Sequence, residues 1–277
     1  MPAPAARWDI TTPARPGRLP GISQAGFRDR TTCPLDLPVI PYPAVTLAID
    51  LGDGLIVDGS RDRQQGGSVV FGLSPGAVRA RGQNIDCLQI RLSPPIAHTV
   101  LGTSLEPGGA FVPLDALWGR DATRILERMR AAASWEERFA IAEAALARRH
   151  EAGRAVDPEV AHAWRRMVRS LGLVRVEPLA AEVGWSRKRL WARFRSQIGL
   201  TPKRAAQLIR FDHAAHSLAA GQSVGSVAAE SGYADQSHLH RDVMTFTGLT
   251  PTAVSTAPWL AVDDTAWATA PEHSRTR

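Results

Sequence analysis

The chain is poor in cysteine, with only Cys33 and Cys87 among 277 residues. They stand far apart and form no CxxC, which argues against a disulfide framework and against a cysteine zinc site. Cys87 lies in an apolar strand pattern and reads as structural rather than as a nucleophile or alkyl acceptor. No run of 18 apolar residues occurs, so no membrane span is expected. The start, MPAPAARWDITTPARPGRLP, lacks the apolar stretch of a secretory signal. The cytosol is the expected compartment. GxxxxGK[ST], GxSxG and HExxH are all missing, which removes the common signatures of nucleotide hydrolysis, α/β-hydrolase chemistry and zinc proteolysis. No cofactor, catalytic residue or metal ligand is expected.

With 44 % apolar and 22 % charged residues the composition is that of a globular protein, long enough for two domains. The net charge is +6, and almost all the basic residues are arginine. The charge is unevenly placed. Residues 161–220 hold twelve Lys/Arg (165, 166, 169, 175, 187, 188, 189, 193, 195, 203, 204, 210) against acids at 177, 182 and 212. Such a local excess is the footprint of a phosphate-binding face, although solvated helix surfaces would give it too.

Residues 1–26, rich in Pro, Gly and Ala, read as a flexible arm. From Phe27 the chain turns β-rich. Segments 45–52, 54–59, 67–73 and 86–92 are short and rich in Val, Ile and Leu, and turn formers separate them. Asp50, Asp53, Asp58 and Asp62 fall in these turns with no histidine nearby, so they read as turn formers rather than as an enzyme's acids. Helical signals begin near Pro94 and continue through 120–132 and 135–150, the latter opened by a Ser134/Glu137 capping box. Asp157–Pro158 reads as an N-cap and first helical position of a helix ending near Ser170. The stretch 256–277 reads as a disordered tail.

One near-repeat dominates the C-terminal third. LAAEVGWSRKRLWARFRSQIGLTP (179–202) returns as VAAESGYADQSHLHRDVMTFTGLTP (227–251). Leu179/Val227, Ala180/Ala228, Glu182/Glu230, Gly184/Gly232 and Trp185/Tyr233 match at an offset of 48. After one inserted residue, Leu190/Leu239, Phe194/Val243, Gly199/Gly248 and both Thr-Pro pairs match at 49. Each copy spells a short helix, a glycine turn and a longer helix. Ser186 is an N-cap, and Leu190 and Phe194 face inward. Lys188, Ala192 and Arg195 then lie outward, flanked by Arg189 and Trp191. In the second copy Leu239 and Val243 anchor, Ser237, His240 and Arg241 face outward, and Gln236 and His238 stand near the helix start. A narrow apolar anchor with a basic or amide-bearing outer face suits a DNA major groove. Trp191 has two readings, stacking on a sugar or packing inside. His238, His240 and Asp235 are too awkwardly spaced to converge on a metal, and His213 and His216 read as a core or surface pair. A linker helix of about 20 residues from Thr201-Pro202 would span roughly 30 Å, close to one turn of DNA.

These residues resemble the DNA-binding domain of AraC-type transcription regulators over about 175–252. The resemblance implies that Lys188, Trp191 and Ala192 of the first unit approach DNA, together with Gln236, Ser237, His240 and Arg241 of the second. Ser186, Arg187, Arg189, Arg195 and His238 complete the candidate set. Ala192 stands where family members often carry Arg, which shifts base readout toward the second unit. Val243 stands where Phe is usual and makes the second core smaller. The motifs VTLAIDLG, FGL and LQIRLSP, with the 138–170 helical run, resemble an N-terminal domain of an actinobacterial-type branch, implying effector sensing or dimerisation. The expected fold is α+β: a β-rich N-terminal domain (27–155), then an all-α C-terminal domain (156–255) with two helix-turn-helix units joined by a linker helix. Double-stranded promoter DNA is the expected partner; RNA polymerase, a small-molecule effector and a second copy of the chain are further partners open to such a regulator. An N-terminal enzyme with a DNA-targeting tail is the rival reading.

Overall fold

Strict alternation in DCLQIRL decides where the N-terminal half puts its core. In this strand, β9 (Asp86–Leu92), Leu88, Ile90 and Leu92 are fully buried beneath helices, while Cys87, Gln89 and Arg91 point to the opposite face. The neighbouring β4 (Val45–Asp50) repeats the division, with Val45, Leu47 and Ile49 under the helices and Thr46 and Ala48 opposite. The computed structural model describes residues 7–31, 33–52, 54–59, 64–73, 78–102 and 111–267.

The other strands are β1 (Trp8–Thr11), β2 (Ile22–Asp29), β3 (Leu35–Pro38), β5 (Leu55–Asp58), β6 (Gln64–Gly66), β7 (Val69–Phe71), β8 (Arg79–Gly82) and β10 (Phe111–Pro113). They form two antiparallel sheets, ordered β1-β2-β9-β4-β7-β10 and β3-β8-β5-β6. The helices are α1 (Pro94–Leu101), α2 (Leu114–Trp118), α3 (Arg120–Ala131), α4 (Trp135–Ala152), α5 (Pro158–Arg169), α6 (Val176–Glu182) and α7 (Arg187–Ile198). After them come α8 (Pro202–Ala219), α9 (Val224–Glu230), α10 (Gln236–Thr247), α11 (Pro251–Ser255) and α12 (Pro258–Ala266). The architecture is α+β, a β-rich region followed by a helical one. One continuous apolar core runs from β4 and β9 through α1, α4 and α5 into α7, α8 and α10. None of the described helices is long and apolar enough to cross a membrane.

Three local expectations are corrected. Residues 8–11 and 22–26 of the expected flexible arm are in strands, because β2 pairs along its length with β9 and offers β1 a second edge; residues 1–6 lie outside the described ones. The expected disordered tail contains α12. Leu260, Asp263 and Trp267, spaced i, i+3, i+7, share one buried face, while residues 268–277 fall outside the described residues. Asp157 precedes α5 but makes no side-chain cap; its carboxylate accepts two hydrogen bonds from Arg193 at 2.7 and 2.9 Å. Ser134 does cap α4, accepting from the Glu137 amide at 3.2 Å. Asp50 is fully buried and accepts from the Gly52 and Leu55 amides, which makes it a turn former, and Asp58 pairs with Arg81. Asp53 and Asp62 lie outside the described residues.

Candidate nucleic-acid interface

The two repeat copies fold alike because each carries the same local stop and start signals. α6 and α9 are both 7 residues, and α7 and α10 both 12. Gly184 (φ 67°) and Gly232 (φ 69°) take the left-handed turn after the first helix. In both copies the next amide bonds back to the helix, Trp185 to the Ala180 carbonyl and Tyr233 to that of Ala228, each at 2.9 Å. Ser186 caps α7 through the Arg189 amide (3.2 Å). In the second copy, after the inserted Ala234, Asp235 takes the place of Ser186 and caps α10 through the His238 amide (2.7 Å). The repeated Gly-Leu-Thr-Pro ends each longer helix at a left-handed glycine and caps the next with threonine, Thr201 before α8 and Thr250 before α11.

Packing holds both units to α8. Leu190 and Phe194 are fully buried, and Phe194 lies 6.5 Å from Trp164 of α5. In the second unit Leu239 and Val243 are fully buried, and the Phe246 ring stacks on Phe211 of α8 at 4.8 Å, adding aromatic bulk beside the smaller Val243. Arg210 of α8 pairs with Asp242 of α10 at 3.2 Å, and its guanidinium lies over the Tyr233 ring. Burial pushes the Tyr233 hydroxyl pKa up to about 12. At 18 residues, α8 spans about 27 Å.

Of the twelve candidate residues, Ser186, Arg187, Lys188, Arg189, Trp191, Ala192, Arg195, Gln236, Ser237, His240 and Arg241 are exposed. His238 is half-buried, its ring edge-on to Tyr233 at 5.2 Å. Trp191 is 44 % exposed, so the packing reading gives way to a surface position, with the Arg195 guanidinium 5.3 Å from its ring. The twelve cations of 161–220 are not equivalent. Arg166, Arg187, Arg193 and Arg210 are neutralised by Glu182, Glu177, Asp157 and Asp242. Hydrogen bonds from Arg166 and His162 hold the Glu182 carboxyl at about 2. Lys188, Arg189, Arg195 and Arg241 carry no ion pair among the described residues; Arg189 lies over Trp185, and Arg241 Nε donates to the Ser237 carbonyl of its own helix.

A second feature of the fold carries no local sequence signal. A cavity of about 180 Å³ lies between the two sheets, walled by aromatic and aliphatic side chains including Phe27, Ala48 and Phe71, with Tyr42, Arg91 and Asp263 at its polar end. Cys87 lines it too, buried, its thiol pKa raised mainly by that burial. Cys33 is exposed.

Two short-helix/turn/long-helix units with outward polar faces on one spacer helix define a helix-turn-helix DNA-binding protein. Residues 179–257 match the model of a helix-turn-helix domain. This domain is of the AraC type, and the chain is a DNA-binding transcription regulator. No curated protein matches the chain. Among solved structures, ToxT from Vibrio cholerae O395, bound to (E)-4-(8-methylnaphthalen-1-yl)but-3-enoic acid, is similar in fold with a TM-score of 0.50 and 10 % identity, over 87 % of this chain and 99 % of that one. A second ToxT structure from the same strain gives a TM-score of 0.48 at 9 % identity, over 87 % and 98 %. The C-terminal domain of AraT, a response regulator from Geobacillus stearothermophilus, gives 0.34 at 18 % identity, over 36 % and 85 %.

Proposed function

We propose that the chain binds promoter DNA sequence-specifically, laying α7 and α10 in successive major-groove segments. The observation that carries this reading is the pair of exposed, cap-defined helices held by the 18-residue α8, whose length matches roughly one 34 Å turn of duplex. Lys188, Arg189 and Arg195 make α7 the more phosphate-directed helix. Gln236 and Arg241 suit adenine and guanine edges and make α10 the main base reader. Ser186, Arg187, Trp191, Ala192, Ser237, His238 and His240 complete the interface. Arg187 is shared with Glu177, and His238 acts chiefly by shaping the turn against Tyr233. The inter-sheet cavity supports control by a small-molecule effector; the ToxT structure of similar fold holds an aromatic carboxylic acid.

Selection of bound sites from a random duplex library with full-length protein, at two salt concentrations, tests this. The expected result is a motif with two blocks about 10 base pairs apart. Recovery of no motif, with binding lost as salt rises, would reduce the interface to nonspecific phosphate attraction.

A further inference from the structure

The segment after the second helix-turn-helix unit folds back across the molecule. Ala266 and Trp267, at the end of α12, pack on Ala25 and Phe27 of β2, with the Trp267 and Phe27 rings 6.3 Å apart. One turn earlier Asp263, 6 % exposed, accepts a hydrogen bond from Arg91 of β9 at 2.8 Å. Arg91 is itself buried, its guanidinium 3.7 Å from the Tyr42 ring and 4.2 Å from the Trp267 ring. The second oxygen of Asp263 lies 3.5 Å from Nε2 of His216 on α8. Nδ1 of His216 meets the Asp212 carbonyl at 2.8 Å. One carboxylate therefore joins the cavity-lining sheet to the helix that spaces the two DNA readers.

The charges of this joint depend on one another. Removing one partner of a buried pair strands the other, which costs far more than an exposed ion pair contributes. Burial alone would depress the His216 pKa, but Asp212 and Asp263 outweigh it and raise it to about 9. His216 is thus charged at neutral pH. Asp263 is held ionised against its burial by Arg91 and His216.

α12 is also a wall of the cavity, through Val262 and Asp263. The other walls indicate what fits. An apolar cavity of roughly 150 Å³ takes a benzene-sized molecule, and this one measures about 180 Å³. The charge of Arg91 is already matched by Asp263, so an anion would have to displace that carboxylate, whereas a neutral molecule would not. Nε of Arg91 is buried without a hydrogen-bond partner among the described residues, a donor waiting for an acceptor.

We propose that α12 couples the cavity to the DNA-reading helices: a neutral, ring-sized molecule with one hydrogen-bond acceptor sits against α12, and its presence reaches α8 through the Asp263–His216 contact. This rests on the effector reading above and adds the ligand class and the route. Occupancy adds contacts to Val262 and Asp263, biasing how α12 sits. Because α8 packs on α7, α9, α10 and α11, a change in its seating alters how the two recognition helices are presented together.

The test uses full-length protein, cyclohexanone as probe and cyclohexanecarboxylate as its anionic counterpart. Saturation-transfer NMR reads binding, and fluorescence anisotropy reads operator affinity. Cyclohexanone should bind, the carboxylate at least about tenfold more weakly, and saturating cyclohexanone should change operator Kd by about fivefold or more. In His216→Gln the probe should bind as before while its effect on operator Kd falls below about twofold. His216→Asn, which also removes the imidazolium but leaves the cavity wall and the Arg91–Asp263 pair intact, should show the same loss and serves if the first variant does not fold. Undiminished coupling in a folded variant overturns the proposal, as does no binding of cyclohexanone or tighter binding of the carboxylate. Wild-type protein that binds probe and operator independently overturns the coupling alone, while failure of wild type to bind any selected operator overturns the DNA-binding reading with it.

Discussion

Arg193 holds Asp157 through two hydrogen bonds of 2.7 and 2.9 Å, stitching the first recognition helix to the start of α5. A cation that the sequence counts toward a phosphate-binding face is thereby withdrawn from it, and an apparent helix cap becomes its counter-ion. The Gln197 side chain strengthens the seam by accepting from the Asp157 amide at 2.9 Å. The hydrogen bonds from Arg193 hold the Asp157 carboxyl below its ordinary range, against burial, which would raise it.

Arg193→Ala should therefore leave DNA binding almost alone. The pair is partly exposed, so its loss should lower Tm only slightly, by about 1–3 °C. Arg195→Ala, which removes an unpaired exposed cation, should weaken binding to all sequences and reduce the salt slope by about one. Anisotropy titrations at several salt concentrations separate the two; equal slopes for both variants would contradict the assignment.

Arg241→Ala should relax specificity at one base position, costing about 1–3 kcal/mol against the preferred site and much less against random duplex. Competition titrations with single-base operator variants read this directly. Identical losses on all sequences would make Arg241 a phosphate contact instead.

Gly172 and Gly184 both have positive φ, at 77° and 67°, but differ in surroundings. A Cβ on Gly184 meets open space, so Gly184→Ala should cost only the backbone strain, about 1 kcal/mol. A Cβ on Gly172 would collide with the Ala206 carbonyl and come within 2.9 Å of the Arg210 amide nitrogen, both on the rigid backbone of α8. Gly172→Ala should cost several-fold more, on the order of 3 kcal/mol. Urea unfolding midpoints of the two variants check the order.

Stability should decline in alkali through His216. Its folded pKa, about 9, lies above the ordinary histidine value, so the native state binds the proton more tightly than the unfolded chain. The associated stability is complete below the unfolded pKa near 6.5 and disappears as pH rises through about 9. Thermal melts from pH 6 to 10 should show a fall that His216→Gln removes. An unchanged slope in that variant would assign the decline to other groups.

The helix-turn-helix pair was legible because its signals are local. Gly184 and Gly232 at the turns, Ser186 at a cap, Leu190 and Leu239 one step inside, and Thr-Pro at each exit act within a few residues of one another. Backbone conformation and helix periodicity respond to neighbours at that range. The alternation in 86–92 was legible for the same reason, and it placed the strand without saying what covered either face.

By itself the sequence determined the two-unit reader, the spacer helix and the short strands of the β-rich half. The tertiary structure alone decided which arginines stay free, that residues 8–11 form a sheet edge, that Pro258–Ala266 fold back, and that Arg91 meets Asp263. Those two residues are 172 positions apart. Strand edges, ion pairs and cavity walls are made by groups brought together only when the chain buries its core, so no short-range pattern encodes who the partner will be.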